Sequence, residues 1–267
     1  PLPTAALPPL FRKVDWLTLT LTLVLVFVGY LLTISPDLTL EDSGELAVAS
    51  MYAGVPHPPG YPVWTVYTWL FTKLIPFSNM AFRVSVGCAF SGALACGLIG
   101  LAVSRGSSMM IEGIASLKSI DRRWENAICV VSGFVAGTLI GFNGYMWSQA
   151  VIVEVYPFSL VSLMGVILCL MRWIYAPHQR RYLYWAWFLF GICITNHQSL
   201  LVAAMGIEVA IIAGQPKLGR DFLIGNSICY ILGLFLKANG MITSWSSAPG
   251  QLNMVFVIFN IVGLASI

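Results

Sequence analysis

Apolar stretches close to the length of a membrane-spanning helix recur along this sequence. A bilayer core about 30 Å thick requires about 20 consecutive apolar residues in an α-helix. About eight spans are predicted, the shorter ones bounded by turns and charge: 16–34, 80–103, 126–147, 158–173, 182–195, 199–213, 222–236 and 252–267. Because backbone polar groups in lipid must pair within the helix, the predicted fold class is an all-α, polytopic transmembrane helix bundle.

The low charge content supports lipid as the main solvent of the chain. Only 9% of the 267 residues are charged and 58% are hydrophobic, whereas a soluble domain is about 25% charged. The six cysteines lie in apolar stretches without a CxxC pair, which indicates small hydrophobic filler rather than a metal site or disulfides. The sequence contains no basic run of the kind that would indicate a nucleic-acid partner. The chain starts at Pro1 and stops within an apolar run, so we expect a piece of a longer protein.

The basic residues predict how the bundle is oriented. Residues 61–77 are interpreted as an interfacial or re-entrant helix rather than a span. All but Lys73, Arg83 and Lys237 of the 14 lysine and arginine residues then lie in cytoplasmic segments, as the positive-inside rule requires. The predicted divisions are a cytoplasmic segment 1–15, a transmembrane module 16–236 with a long first outer loop 35–79, and an outer loop with the last span at 237–267. A bacterial inner membrane and the endoplasmic reticulum both fit.

The first outer loop carries an acidic pair followed by a rigid turn. Asp42 and Glu45 are spaced to share one face of a helix, where one could be a general base and the other a second acidic ligand or orienting group. The alternative is a capping box with Asp42 as N-cap. The HPPGYP turn restricts the backbone and could direct His57, followed by Tyr61, toward a ligand phosphate, or simply end the loop. Arg83 could pair with an outer carboxylate or an anionic headgroup, or extend to lipid phosphates.

Two further polar groups are predicted on the same side of the membrane. Glu154 lies in a short turn with nothing positive near it in sequence, and a carboxylate beside the bilayer is costly unless it is paired, wetted or functional. Its predicted neighbours are Gln149 and Tyr156, which could also be plain interfacial residues. Asn196 and His197 separate two apolar spans, where a structural turn is the ordinary interpretation. Three polar groups are therefore expected at one end of the bundle.

Four sequence blocks in order resemble the DUF2723 membrane family, also classed as glycosyltransferase family 117. The blocks are EDSGELAVASMYAGVPHPPGYPVW (41–64), FRVSVGCAFSGALA (82–95), WSQAVIVEVYPFSL (147–160) and GICITNHQSLL (191–201). That family resembles the GT-C glycosyltransferases, which are multi-span enzymes that use a polyprenyl-phosphate sugar on the extracytoplasmic face. Their catalytic Asp or Glu lies in the first outer loop. The resemblance therefore implies that Asp42 is the general base, with Glu45 as the second candidate. It places further positions in the donor or acceptor site: His57, Glu154, Asn196 and His197.

The resemblance implies a membrane glycosyltransferase that moves a sugar, expected to be mannose, from a polyprenyl phosphate to a protein Ser or Thr hydroxyl. Expected partners are membrane lipid, the donor, an acceptor protein and a larger membrane complex. No resident cofactor or metal-binding residue is predicted, although Mg²⁺ would fit because donor phosphates plus one or two carboxylates suffice as ligands. The alternative is a non-catalytic GT-C-like subunit of a larger complex. A transporter is less favoured, because only Glu208 lies well inside a span and no repeat is evident.

Overall fold

The computed structural model describes residues 8–241 and 254–267, and all regular structure within them is helical. Two short 3₁₀ helices, Ala115–Leu117 and Gln198–Val202, accompany the α-helices of these ranges. The α-helices are α1 (Lys13–Thr33), α2 (Ser43–Tyr52), α3 (Pro62–Leu74), α4 (Met80–Gly113), α5 (Arg122–Gly141), α6 (Gly144–Ala150), α7 (Tyr156–Tyr175), α8 (Arg181–Asn196), α9 (Ala203–Gly214), α10 (Pro216–Ala238) and α11 (Met254–Ser266). The predicted all-α fold class is therefore confirmed.

Five of the described helices, α1, α4, α5, α7 and α10, are long and apolar enough to cross a membrane. They indicate a multi-pass membrane protein. The predicted spans at α8, α9 and α11 are present as helices of only 16, 12 and 13 residues, which reach about 24 Å or less at 1.5 Å per residue. The count of eight spans is therefore not confirmed. Helix α3 has 13 residues and is likewise too short to cross the bilayer core.

Two of the predicted span boundaries are wrong for local reasons. The predicted span 126–147 is two helices, because the Asn143 side chain accepts a hydrogen bond from the Met146 N–H at 2.9 Å and starts α6 after α5 has ended. Helix α4 continues past the predicted end at residue 103 to Gly113. The charge of Arg105 suggested an end there, but its guanidinium is bonded within the helix to Ser108 at 3.0 Å.

Helix α4 lies at the centre of the bundle and packs closely against α5 through small residues. It contacts α1, α3, α5 and α7. Gly133, Gly137 and Gly141 of α5 recur every four residues and so share one face. A Cβ added to Gly137 would lie 2.5 Å from the Cys96 carbonyl oxygen of α4. In a membrane, where lipid is as apolar as leucine, such close backbone approach is a main source of helix association.

Gly137→Ala is expected to lower the free energy of unfolding by about 1–3 kcal/mol, because the backbone of α4 must move to admit the methyl group. Gly106→Ala is the matched control. Gly106 lies inside α4 with nothing within 4 Å of the added Cβ, so the helix propensity of alanine should leave stability unchanged or raised. Unfolding of both variants in one detergent measures the difference. Equal stability of the two would contradict the close α4–α5 packing.

Candidate functional site

One end of the bundle gathers the helix ends and loops that carry the three predicted polar groups. The Ser35 N–H, just after α1, donates to the Val151 carbonyl oxygen at 2.8 Å. The Trp147 indole N–H of α6 donates to the Thr33 hydroxyl at 2.8 Å. These bonds join the start of the first predicted outer loop to the α6–α7 connection, which contains Glu154. Their common location is a property of the fold and does not depend on membrane orientation.

Asp42 and Glu45 do not form the capping box that was the alternative interpretation. Asp42 occupies the N-cap position of α2, but its side chain makes no capping hydrogen bond and is 62% exposed. The Ser43 hydroxyl instead bonds to the backbone of Thr39, accepting from its N–H at 3.0 Å and donating to its carbonyl at 2.6 Å. Glu45 is directed to His57. The Asp42 carboxylate is therefore left available to a ligand.

A chain of polar contacts runs through His57. The Glu45 carboxylate accepts from the His57 backbone N–H at 2.6 Å and lies 3.1 Å from its Nδ1. The His57 Nε2 is 3.1 Å from the Tyr61 hydroxyl and 3.9 Å from the Asp42 carboxylate. Since an ionised carboxylate can only accept, Nδ1 carries the proton, and Nε2 of a neutral ring accepts from Tyr61. If both of its nitrogens were protonated, the cationic His57 ring would lie between the Glu45 and Asp42 carboxylates.

The HPPGYP turn places His57 by restricting the backbone on both sides. Gly60 has φ +88°, and its N–H donates to the His57 carbonyl at 2.9 Å. Tyr61 is the N-cap of α3 with φ +41°, and Pro62 follows at the first helical position. A non-glycine residue in the left-handed region costs about 1–3 kcal/mol and persists only where its surroundings determine it. Here the buried Tyr61 ring packs with Trp64 in one hydrophobic cluster.

Glu154 is a buried carboxyl at the edge of the same group. It is 5% exposed, and its side chain accepts from the Val155 N–H at 2.8 Å. Burial raises the pKa of the Glu154 carboxyl, and the nearby charges of Glu41 and Asp42 raise it further. Within the described residues it forms no ion pair. The second polar group therefore joins the first, and its acid is shifted toward the neutral form.

The pKa of Glu45 is expected to lie below that of an ordinary glutamate, and the pKa of Glu154 above it. Hydrogen bonds from His57 lower the pKa of Glu45, whereas burial raises the pKa of Glu154. As pH falls, Glu154 should take up its proton first, and the contact between Glu45 and His57 should be lost only as pH passes through the lowered pKa. NMR titration of labelled glutamate carboxyls, assigned with Glu45→Gln and Glu154→Gln, measures the order. A reversed order would contradict the described contacts.

The third polar group joins the second through Asn196 and His197. Asn196 is 1% exposed, and its amide nitrogen donates to the Val155 carbonyl at 3.3 Å and to the Ser159 hydroxyl. Its amide oxygen is buried and has no hydrogen-bond partner within the described ranges. The His197 ring lies 5.3 Å from the half-exposed Tyr156 ring. The three groups predicted from separate parts of the sequence are thus consecutive in space.

Gln149 and Arg83 are placed differently from the acidic group. The Gln149 amide oxygen, on α6, is buried and has no donor within the described part of the chain. The Arg83 guanidinium donates to three backbone carbonyls, those of Thr72 at 3.0 Å, Phe77 at 3.1 Å and Ser78 at 3.1 Å. It thereby ties the end of α3 to the start of α4. Its predicted role toward a phosphate stays a prediction.

Two contributors to the site were not identified from the sequence. Glu41 adjoins Asp42 with φ +67°, and its charge acts on Glu154. Its position next to Asp42 in the sequence is the signal for it, although a solvated loop residue could occupy the same position. Cys88 of α4 donates its thiol to the Glu154 carbonyl at 3.2 Å. No sequence signal separates it from apolar filler.

The described side chains do not form a metal site of their own. No group of three or more His, Cys, Asp and Glu side chains is arranged to hold an ion among the residues that the structure describes. Asp42 and Glu45 are the carboxylates that a Mg²⁺ would share with ligands from a phosphate-bearing donor. A metal at this position would therefore depend on the substrate for most of its ligands.

Comparison with known proteins gives one family and two named relatives. The family model described as "Protein O-mannosyl-transferase TMEM260 N-terminal domain" matches residues 42–218, which include every predicted site residue. Protein O-mannosyl-transferase TMEM260 of Mus musculus is 35% identical over 108 residues, 39% of this chain and 15% of the relative. Protein O-mannosyl-transferase tmem260 of Dictyostelium discoideum is 23% identical over 231 residues, 79% of this chain and 26% of the relative. The chain thus spans about a quarter or less of these relatives. No solved structure matches it.

Proposed function

This chain belongs to the protein O-mannosyl-transferase TMEM260 N-terminal domain family, and on that premise we propose that it carries the catalytic carboxylate of a membrane mannosyltransferase. The proposed reaction moves mannose from a polyprenyl-phosphate donor to a Ser or Thr hydroxyl of an acceptor protein. The proposed location of the site is the extracytoplasmic face of a GT-C-like bundle, in the endoplasmic reticulum or a bacterial inner membrane. The sugar and the protein acceptor are suggested by the names of the relatives.

The exposed carboxylate of Asp42, which makes no capping hydrogen bond, is the observation that carries this proposal. A general base must come within hydrogen-bonding reach of the proton it removes. Glu45 is held by His57, and Glu154 is buried with a raised pKa. Asp42 makes no capping bond, is 62% exposed, and lies 3.9 Å from the His57 ring. Asp42 is the acid of this group that is both open to an acceptor and next to the His57 imidazole.

The proposed reaction is a single displacement. The acceptor oxygen forms a bond to the anomeric carbon while its proton passes to the Asp42 carboxylate. The bond between the anomeric carbon and the phosphate oxygen breaks, and its electron pair leaves with the polyprenyl phosphate, so the anomeric centre inverts. The departing phosphate requires cationic or hydrogen-bond stabilisation. His197, and His57 once it is protonated on Nε2 and no longer accepts from Tyr61, are the histidines at this end of the bundle that would supply it.

Two buried amide oxygens support recognition of a polyhydroxylated ligand. The Gln149 and Asn196 oxygens have no donor within the described residues, and an unsatisfied buried acceptor is costly. Sugar hydroxyls are donors that would satisfy them once the site opens, since neither oxygen reaches the surface in the structure. The amide nitrogen of Asn196 is already engaged by Val155 and Ser159, which fixes the direction of its oxygen.

The position of the group at helix ends suits a lipid-linked donor. A polyprenyl tail remains in the apolar layer beside the spans, while its phosphosugar lies at the level of the loops. A nucleotide sugar would need a water-facing site for its nucleotide. The bias of Lys and Arg toward the opposite end of the bundle supports an extracytoplasmic site.

A donor comparison tests the proposed function. The full-length protein that contains this module is reconstituted in liposomes with a Ser/Thr-containing acceptor protein. Mannose transfer is measured from polyprenyl-phosphate mannose and from GDP-mannose, and we expect transfer from the lipid-linked donor alone. Direct transfer from GDP-mannose would contradict the donor class. No transfer from either donor, with a fixed partner copurifying, would replace the enzyme by the non-catalytic subunit.

A further inference from the structure

At the end of the bundle opposite the candidate site, we propose a binding site for an acidic membrane phospholipid. A groove of about 370 Å³ lies among the segment before α1, helices α4 and α7, and the start of α8. Its walls are almost entirely apolar, and Arg172 is the only charged residue that lines it among those that the structure describes. Typical apolar wall residues are Leu10, Phe11, Trp16, Leu101 and Leu168. An apolar groove with one cation in its lining matches an acyl chain joined to a phosphate.

Arg172 supplies the polar end of this groove. It lies in the last turn of α7, and its guanidinium is 5.5 Å from the Tyr175 ring and 5.1 Å from the Tyr182 ring. Stacking on aromatic faces holds the planar group while leaving its N–H donors free. Its Nη1 is buried and has no hydrogen-bond partner within the described residues. A buried N–H donor without an acceptor is costly, and a lipid phosphate oxygen would accept its hydrogen bond.

The surrounding charge favours an acidic lipid over a zwitterionic one. Arg181 lies 4.9 Å from the ring of Tyr182, a residue that lines the groove and that Arg172 also contacts, so a second guanidinium group lies close to the groove. A net negative headgroup pairs with both, whereas the ammonium of a zwitterionic lipid adds a repelled charge. Basic clusters at the cytoplasmic end of membrane helices attract anionic lipids in this way.

The groove is separate from the site of the proposed transfer reaction. Tyr156 at the first turn of α7 belongs to the candidate site, and Arg172 lies at the other end of the same helix. Sixteen residues of α-helix separate them by about 24 Å. A lipid in this groove therefore does not contact Asp42, and its binding can be measured without mannose transfer.

Lipid retention tests the proposal. The protein is reconstituted in phosphatidylcholine vesicles that contain phosphatidylserine, extracted in mild detergent, and its bound lipids are counted by mass spectrometry. We expect wild type to retain phosphatidylserine and Arg172→Gln to lower its affinity about tenfold or more, as for a lost hydrogen bond to a charged group. Arg180→Gln is the matched control, because Arg180 is exposed at the same end, does not line the groove, and loses the same charge.

A second variant separates binding from folding. Cys169 lines the groove, so Cys169→Trp should fill it and reduce retention while leaving Arg172 in place. Equal losses in Arg172→Gln and Arg180→Gln would show general surface charge and overturn the site. Retention of phosphatidylcholine to the same extent, or release of the lipid by inorganic phosphate alone, would overturn it as well.

Discussion

Asp42→Asn is expected to lower mannose transfer by about 10²- to 10⁴-fold, the usual contribution of a positioned general base. Asparagine keeps the size of the side chain but cannot take up the acceptor proton. Because the Asp42 side chain makes no capping hydrogen bond, the substitution should leave α2 folded. The loss should appear in kcat, since the proton moves only in the transition state. Single-turnover transfer from polyprenyl-phosphate mannose in liposomes measures it.

Asp37→Asn is the matched control for this experiment. Asp37 lies in the same loop, is exposed, and accepts a hydrogen bond from the adjacent Leu38 N–H at 2.8 Å. It belongs to none of the contacts around His57, so its variant should retain nearly full transfer. If a folded Asp42→Asn protein transferred mannose at the wild-type rate, Asp42 would not be the base. The buried Glu154 would then be the next carboxyl to test.

The polar residues at one end of the bundle could be predicted from sequence because they interrupt apolar runs, although two span boundaries could not. Glu154 and Asn196 were identified as polar residues between apolar runs, and the structure places both beside Val155. Positive-inside counting assigned them to one side of the membrane without any knowledge of packing. The tertiary contacts that join them, such as that between the Tyr156 and His197 rings, follow from this common end.

The roles of individual side chains could not be predicted where two structures share one local pattern. An acid followed three residues later by Glu suits a capping box and a catalytic pair equally. The structure excludes the capping box, because His57, 12 residues away from Glu45 in sequence, takes both oxygens of the Glu45 carboxylate, and the catalytic role of the pair stays a prediction. The partners of Arg83 could not be predicted either. Its three acceptors are backbone carbonyls, and because every residue carries a backbone carbonyl, no residue type in the sequence indicates which ones accept.

Buried ionic contacts inside the spans also had no sequence signal, and they give the second large expected effect. Asp15→Ala is expected to lower the free energy of unfolding by about 3–5 kcal/mol, because it leaves partly buried donors without their acceptor. Asp15 is fully buried and accepts from the Arg12 backbone N–H at 2.7 Å and the Ser104 hydroxyl at 2.6 Å. Arg12 in turn donates to Glu125 of α5 at 2.6 Å. The Asp15 carboxylate thus connects α1 to α4, and Arg12 extends the contacts to α5.

Asp221→Ala is the matched control, since Asp221 pairs with Arg220 at 2.6 Å but is more than half exposed. An exposed pair contributes little, and the variant should stay within about 0.5 kcal/mol of wild type. Unfolding of the three proteins in one detergent gives the comparison, and equal costs for the two variants would show that the buried contacts add nothing. Because Asp15 lies at the end of the bundle opposite Asp42, the folded fraction of Asp15→Ala should keep the wild-type kcat. A stability defect with intact turnover would show that the two ends of the bundle are energetically separate.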